Sequence, residues 1–278
     1  MIGAGCDSSR GVGDRSNKDT RRRRLRFGPR RSTLQGVKAA NFRFDADLEE
    51  LLPKSWRCST GIYWFAGPQS AKHLIEALGI PHTEVGAIVV NGMPSGLGYL
   101  VRQGDYVQVH GADQAMPVKE PRFVIDGHLG RLNARLRMLG FDCAYRGDCL
   151  DTELADLAAN EDRFLLTRDR RLLMRKTVSK GYLVRTLHPT PQLHEVIRRF
   201  GLRQWTRPFR RCIRCNAVLE AIEKQAVSDR LEPLTRLYFD EFRICPSCAQ
   251  IYWKGSHFGR MQQIIGSLDI PGHDPRLD

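Results

Sequence analysis

The sequence predicts an α/β protein in three parts: an N-terminal β-grasp module, a parallel-sheet α/β domain and a C-terminal zinc ribbon. Short apolar strands around one helix occupy residues 38–111, strand and helix alternate over about residues 121–205, and two Cys-x-x-Cys pairs fall within residues 206–262. A chain of 278 residues with 41% hydrophobic content has room for these parts and the apolar side chains to pack them.

The two ends carry no such pattern. Residues 1–37 are rich in Gly, Ser and Arg and are expected to be a disordered basic tail, and residues 263–278 a second tail. The net charge of +13 points to a polyanionic partner, nucleic acid first among them. More than half of that excess precedes Val37, where Arg21, Arg22, Arg23 and Arg24 stand together, so the tail is either a solvated segment or an RNA-binding arm. No run of eighteen apolar residues occurs, which excludes a helical membrane span. No apolar segment follows the basic N-terminal stretch, so the expectation is a cytoplasmic protein with reduced thiols.

Within the first module, residues 41–44 and 61–66 read as strands, and 70–78 as an amphipathic helix with Leu74, Ile75 and Leu78 on one face. Residues 85–90 and 106–109 are further strands, with turns at Asn91-Gly92 and Gln103-Gly104. A linker at 112–121 ends on Pro117 and Pro121. Residues 123–126 then form an apolar strand, 129–139 a helix stopped by Gly140, and 142–145 a short strand. Asp151 is the expected N-cap of a helix burying Leu154, Leu157 and Ala158. Residues 164–167 and 182–185 complete the strands, and 191–200 the last helix.

Alternating units of this kind gather functional groups beyond the carboxyl ends of parallel strands. Asp126 ends the first strand of this domain, Asp148 and Asp151 follow the second, and Asp169 follows the third. Clustered carboxylates repel unless a cation neutralises them, and several oxygen ligands suit Mg²⁺ or Mn²⁺. Such an ion holds a phosphate oxygen and activates water. Each aspartate also has a plainer reading. Asp151 is a cap, Asp169 caps a short helix from Arg170, and Asp148 belongs to a Gly-Asp turn. Asp126 precedes Gly127, where no helix turn is expected for it to cap, and so is the strongest ligand candidate.

Cys212-x-x-Cys215 and Cys245-x-x-Cys248 make two knuckles whose four thiolates fit a closed, structural Zn²⁺ site. The spacer of 29 residues between the pairs exceeds ordinary ribbon spacing, so the connecting hairpin must carry an insertion. A redox role would need one motif at a helix start, not two facing knuckles. Arg207, Arg210, Arg211 and Arg214 crowd the first knuckle, a pattern suited to phosphates. Tyr252 and Trp253, next to Lys254 and near His257, either stack an unpaired base or cover the ribbon's core.

The stretches "FVIDGHLGRLNARLRMLGFD", "DTELADLAANEDRFLLTRDRRLL", "RCIRCN" and "FRICPSCAQIYWKGSH" together resemble the PIN-like RNase family named for the C-terminal domain of the worm Mut-seven protein. The resemblance covers about residues 120–262. It implies a PIN-like fold in which Asp126, Asp151 and Asp169 are acidic ligands and Thr167 a hydroxyl behind them. Two departures stand out: Leu132 is followed by Asn133-Ala134-Arg135, where the family pattern places an Arg at 134, and Asp148 stands in for a missing Glu. In the first module, "LIEALGIPHTEVGAIVVNG" and "VRQGDYVQV" resemble ubiquitin-like sulfur carriers, a known companion of this domain. The segment runs on without a free Gly-Gly end, so sulfur transfer is not expected, and a protein partner is the remaining role for it.

The resemblance implies a metal-dependent ribonuclease, with catalytic Asp126, Asp148, Asp151 and Asp169 and with Arg137, Arg168, Lys254 and His257 meeting the RNA. The alternative is a catalytically inactive zinc-ribbon RNA-binding protein, favoured by the missing Arg at 134. A phosphatase of similar topology needs Asp-x-Asp after the first strand, but Gly127 and His128 follow Asp126.

Overall fold

The computed structural model describes residues 26–27, 36–57, 61–112, 121–255, 258–259, 263 and 266. Most of the expected tails and of the linker, and His257, lie outside the described residues. Within the first tail, Arg26–Phe27 form strand β1, parallel to residues Ile62 and Tyr63.

The first module contains β2 (Val37–Phe44), α1 (Ala46–Glu49), β3 (Gly61–Ala66), β4 (Gln69–Ser70), α2 (Ala71–Ala77), β5 (Val85–Val90), β6 (Met93–Ser95), β7 (Leu100–Val101) and β8 (Tyr106–Gly111). Its main sheet runs β1-β3-β2-β8-β5-β6, with β2 and β8 parallel at the centre and the hairpin partners antiparallel. Ser70 caps α2 by accepting the His73 N–H, and Leu74 and Ile75 turn inward onto Phe42 and Val107. This is the expected β-grasp arrangement, extended by short strands that the sequence pattern does not announce.

The second domain contains β9 (Arg122–Ile125), α3 (Gly130–Met138), β10 (Asp142–Tyr145), α4 (Asp151–Asn160), β11 (Phe164–Thr167), α5 (Arg170–Leu173), β12 (Gly181–Leu183) and α6 (Pro189–Phe200). Its four strands are all parallel, in the order β10-β9-β11-β12. The strands are apolar on both sides because both faces are covered. Phe123, Ile125 and Leu166 pack with the residues of α3 and α6, whereas Val124 and Leu165 pack with those of α4 and α5. Gly140 ends the α3 turn at φ +95 and lies so close to the Arg207 carbonyl that a side chain there would collide with it.

The core on the α4–α5 face is continuous with that of the β-grasp module: Leu172, Leu173, Val178 and Leu183 join Leu48, Leu51 and Ile80 in one cluster. Polar contacts fix the junction. Arg170 Nη1 donates to Leu51 O at 2.6 Å, His82 Nε2 donates to Val178 O at 2.8 Å, and buried Glu84 accepts the Leu183 N–H at 2.8 Å and Arg185 Nη2 at 3.0 Å.

The ribbon contains β13 (Glu220–Ile222), α7 (Lys224–Val227), α8 (Pro233–Tyr238), β14 (Phe242–Ile244) and β15 (Ile251–Trp253). β13, β14 and β15 form an antiparallel sheet, and α7 and α8 are the insertion that the long spacer requires. No helix among the described residues is long and apolar enough to cross a membrane.

Candidate active site and metal centre

From β9 the chain moves to one side to form β10, then crosses to the other side for β11 and β12. β9 and β11 are thus neighbours whose following segments leave in opposite directions, the arrangement that in open parallel sheets places a crevice beyond the carboxyl ends. Asp126 follows β9 there and is 8% exposed. Its own N–H donates to Leu166 O at 3.1 Å, which seats it against β11.

Thr167, the last residue of β11, is fully buried and joins two of the expected ligands. Its Oγ1 donates to Asp126 Oδ2 at 2.5 Å and accepts the Asp169 N–H at 2.9 Å. One hydroxyl therefore sets the position of both aspartates. Asp126 also has a capping role that the sequence reading did not anticipate. A 3-10 turn at Gly127–Leu129 follows it, and Oδ1 accepts the His128 N–H at 3.3 Å, a long bond. Asp169 caps α5 by accepting the Arg171 N–H at 2.7 Å.

The second strand delivers its loop to the same edge. Gly127 must be glycine, because a Cβ there would lie 2.7 Å from the Gly147 carbonyl, and Tyr145 Oη donates to Gly127 O at 3.0 Å. This approach sets the segment bearing exposed Asp148 against the one bearing Asp126. Asp151 is not the N-cap of α4. Leu150 holds that position, and Glu153 reaches back to accept its N–H at 2.8 Å. Released from capping, Asp151 is exposed at the helix start, 3.9 Å from Arg175 Nη2. The four aspartates border one edge of the sheet. Among the described residues, however, only the four cysteines form a group of three or more His, Cys, Asp or Glu ligands whose atoms all lie within 4.8 Å.

Of the residues expected to meet RNA, Arg168 is exposed beside Asp169. Lys254 forms an exposed ion pair with Glu241 at 2.5 Å. Arg137 is a correction. It is buried, its Nε and Nη2 donate to Cys143 O at 3.0 and 2.7 Å, and its Nη1 donates to the carbonyls of Ile213 and Arg214 at 3.1 and 2.9 Å. It anchors the first knuckle to the sheet and does not face solvent. Arg135, next to the position where the family pattern has Arg, donates to Thr190 Oγ1 at 2.9 Å.

The knuckles are near copies of each other. Cys215 N–H points to Cys212 Sγ at 3.5 Å and Cys248 N–H to Cys245 Sγ at 3.4 Å. Asn216 and Ala249 each occupy the left-handed region, at φ 73 and φ 58, returning the chain so that their N–H groups bond Cys212 O and Cys245 O, both at 2.9 Å. Across the pair, Cys212 and Cys248 sulfurs lie 3.5 Å apart and Cys215 and Cys245 sulfurs 3.3 Å apart. Burial raises the Cys215 thiol, but the Ala217 amide and the neighbouring thiols outweigh it and hold it down to about 6. Four soft sulfurs with N–H support, all within 4.8 Å of one another, fit a structural zinc ion. Tyr252 Oη braces the site, lying 3.1 Å from Cys212 Sγ and accepting the Ile213 N–H at 3.1 Å.

Residues 121–265 match the family model described as the Mut7-C RNAse domain. The chain belongs to the Mut7-C RNAse domain family. Residues 37–117 match the Mut7-C ubiquitin model, so the β-grasp module is the ubiquitin-like partner of this domain. No curated protein and no solved structure matched the chain. The Mut7-C RNAse match spans the parallel sheet, the four aspartates and both knuckles, so the sheet and the ribbon fall within one family domain.

Proposed function

We propose that this Mut7-C protein hydrolyses RNA phosphodiester bonds in the crevice beyond β9 and β11. Asp126, Asp169 and Asp151 would hold Mg²⁺ or Mn²⁺, with Asp148 assisting, and Zn²⁺ would be structural in the ribbon. The observation that carries this reading is the Thr167 hydroxyl joining Asp126 to Asp169 at the switch point of the sheet. Hard carboxylate oxygens suit these ions, and Asp126 is nearly buried with no cationic side chain bonded to it among the described contacts. The bound cation supplies charge neutralisation at the phosphate and a more acidic water. The chain's own part is positional: Thr167 holds Asp126 in one orientation, the Asp126 N–H bond to Leu166 O fixes its backbone, and Arg168 stands at the edge to meet phosphate.

The test is a pair of conservative substitutions, Asp126→Asn and Asp169→Asn. Each removes a charged ligand oxygen at constant shape, so Mn²⁺-dependent RNA cleavage is expected to fall by orders of magnitude while RNA affinity changes little. Unchanged cleavage in both variants places the active site elsewhere. RNA binding without Mn²⁺-dependent cleavage by the unaltered protein supports instead the inactive binding module, a reading favoured by the open spacing of the aspartates.

A further inference from the structure

Two cavities of the sheet–ribbon region lie away from the four aspartates. One opens at the amino ends of β9 and β10 and is lined by Arg122, Arg207, Arg210, Arg211 and Trp205, with Asp142 as its single acidic residue. A second, mostly apolar cavity between α3 and the ribbon is lined by Met138, Phe209, Tyr252, Trp253 and Phe258. Arg211 lines both, so the two cavities lie side by side along the seam with its side chain between them.

The charge in the first cavity is not balanced. Asp142 Oδ1 already accepts from Arg163 Nη1 at 2.7 Å and Asn216 Nδ2 at 2.8 Å, and Oδ2 pairs with Arg211 Nη2 at 3.0 Å. Arg211 Nε is buried without a hydrogen-bond partner, as is the indole N–H of Trp205. The side chains of Arg207 and Arg210 have no partner among the described residues. Arg211 also donates through Nη1 to Asn216 O and Arg122 to Glu161 O, but the free Arg207 and Arg210 guanidiniums beside an aromatic slot match the two parts of a nucleotide, an anionic phosphate and a flat base. A base within a duplex cannot enter such a slot, whereas an unpaired one can.

We propose that this seam is a second RNA site, taking an unpaired base in the aromatic half and the flanking phosphates in the arginine half. It rests on the reading that the protein takes RNA, but not on where hydrolysis occurs. From Arg122 at the start of β9 to Asp126 beyond its end is on the order of 13 Å. The seam therefore grips the strand away from the scissile bond, and it favours single-stranded RNA long enough to reach both sites.

The test uses the full-length, zinc-loaded protein carrying Asp126→Asn, titrated against a labelled single-stranded ten-nucleotide RNA and a duplex of equal length. Adding Arg207→Gln and Arg210→Gln together is expected to weaken single-strand binding and to make its log–log salt slope shallower by about 1.4. Phe258→Ala is expected to weaken the single strand by about tenfold to a hundredfold while leaving the duplex unchanged, with Phe258→Tyr restoring it. Single-strand affinity and salt slope unaltered in all variants overturn the proposal, as does an acidic peptide that binds as tightly as the RNA. Failure of the unaltered protein to cleave anything, with the binding losses still present, removes the hydrolysis reading and leaves the seam standing.

Discussion

Thr167 does more for the crevice than its size suggests. As the last residue of β11 it has no exposed surface, and its hydroxyl makes one bond as donor and one as acceptor, to the two aspartates most important to the proposed chemistry. Thr167→Val keeps the shape and the strand propensity but removes both bonds. Asp126 would then keep only the long bond from the His128 N–H, and the Asp169 N–H would be left unpaired. Loss of an orienting partner of this kind typically costs 10–100-fold in metal affinity or activity, with about 1–2 kcal/mol of stability. Manganese-dependent cleavage and a urea titration check both halves of this, and undiminished cleavage would show that Asp126 needs no orientation. The Asp126 and Asp169 positions were legible in the sequence because each follows an apolar strand, where chain direction alone decides which edge a residue reaches, whereas Thr167 entered only through the family resemblance. Arg137 was not legible. Its burial comes from carbonyls 76 and 77 residues away, and nothing in the periodicity of α3 announces them.

At the scale of elements, the knuckles and the sheet are joined by a polar seam centred on Asp142. The Cys-x-x-Cys spacing declared the four sulfurs, but the residues that complete each turn were less readable. Asn216 tolerates the left-handed conformation well, whereas Ala249 adopts it only because the second knuckle demands it. Asp142 reads in sequence as the start of a short strand, yet it gathers Arg163, Asn216 and Arg211 and so ties β10 to both the following strand and the ribbon. Burial opposes its charge, but these three partners outweigh it and hold the carboxyl below the usual aspartate range. A carboxyl lowered in the folded state contributes stability that is complete above its unfolded value, near 3.9, and is lost as pH falls through the lowered one. Asp142→Asn should therefore lower stability at neutral pH by about 2–4 kcal/mol, since two guanidiniums lose their carboxylate. It should also flatten the acid limb of the stability curve below about pH 4. Denaturant midpoints measured from pH 7 down to pH 3 test this, and parallel curves for the two proteins would show that Asp142 is not the seam's charged centre.

For the molecule as a whole, the ubiquitin-like module is not a loosely tethered companion. The strand-helix pattern revealed both domains but not their junction, because that junction is made by apolar side chains that each domain's own periodicity already explains. Leu172, Leu173, Val178 and Leu183 of the nuclease domain share one core with Leu48, Leu51 and Ile80 of the β-grasp module. Glu84 is the polar centre of the contact. It is 4% exposed and satisfies the Leu183 N–H on β12 as well as Arg185, so it joins the module to the edge of the sheet that carries the aspartates. A shared core predicts a single cooperative unfolding transition spanning both domains. Glu84→Ala leaves a buried N–H and a partly buried guanidinium without their acceptor. The expected cost is about 2–4 kcal/mol, reduced from the fully buried case because Arg185 retains 27% side-chain exposure. In calorimetry the transition should move down by about 5–15 °C. Glu84→Gln, whose amide oxygen can still accept the Leu183 N–H, should lose less. Two separate transitions in the unaltered protein, with only one of them shifted by Glu84→Ala, would show that the domains fold independently and that the shared core adds little to their coupling.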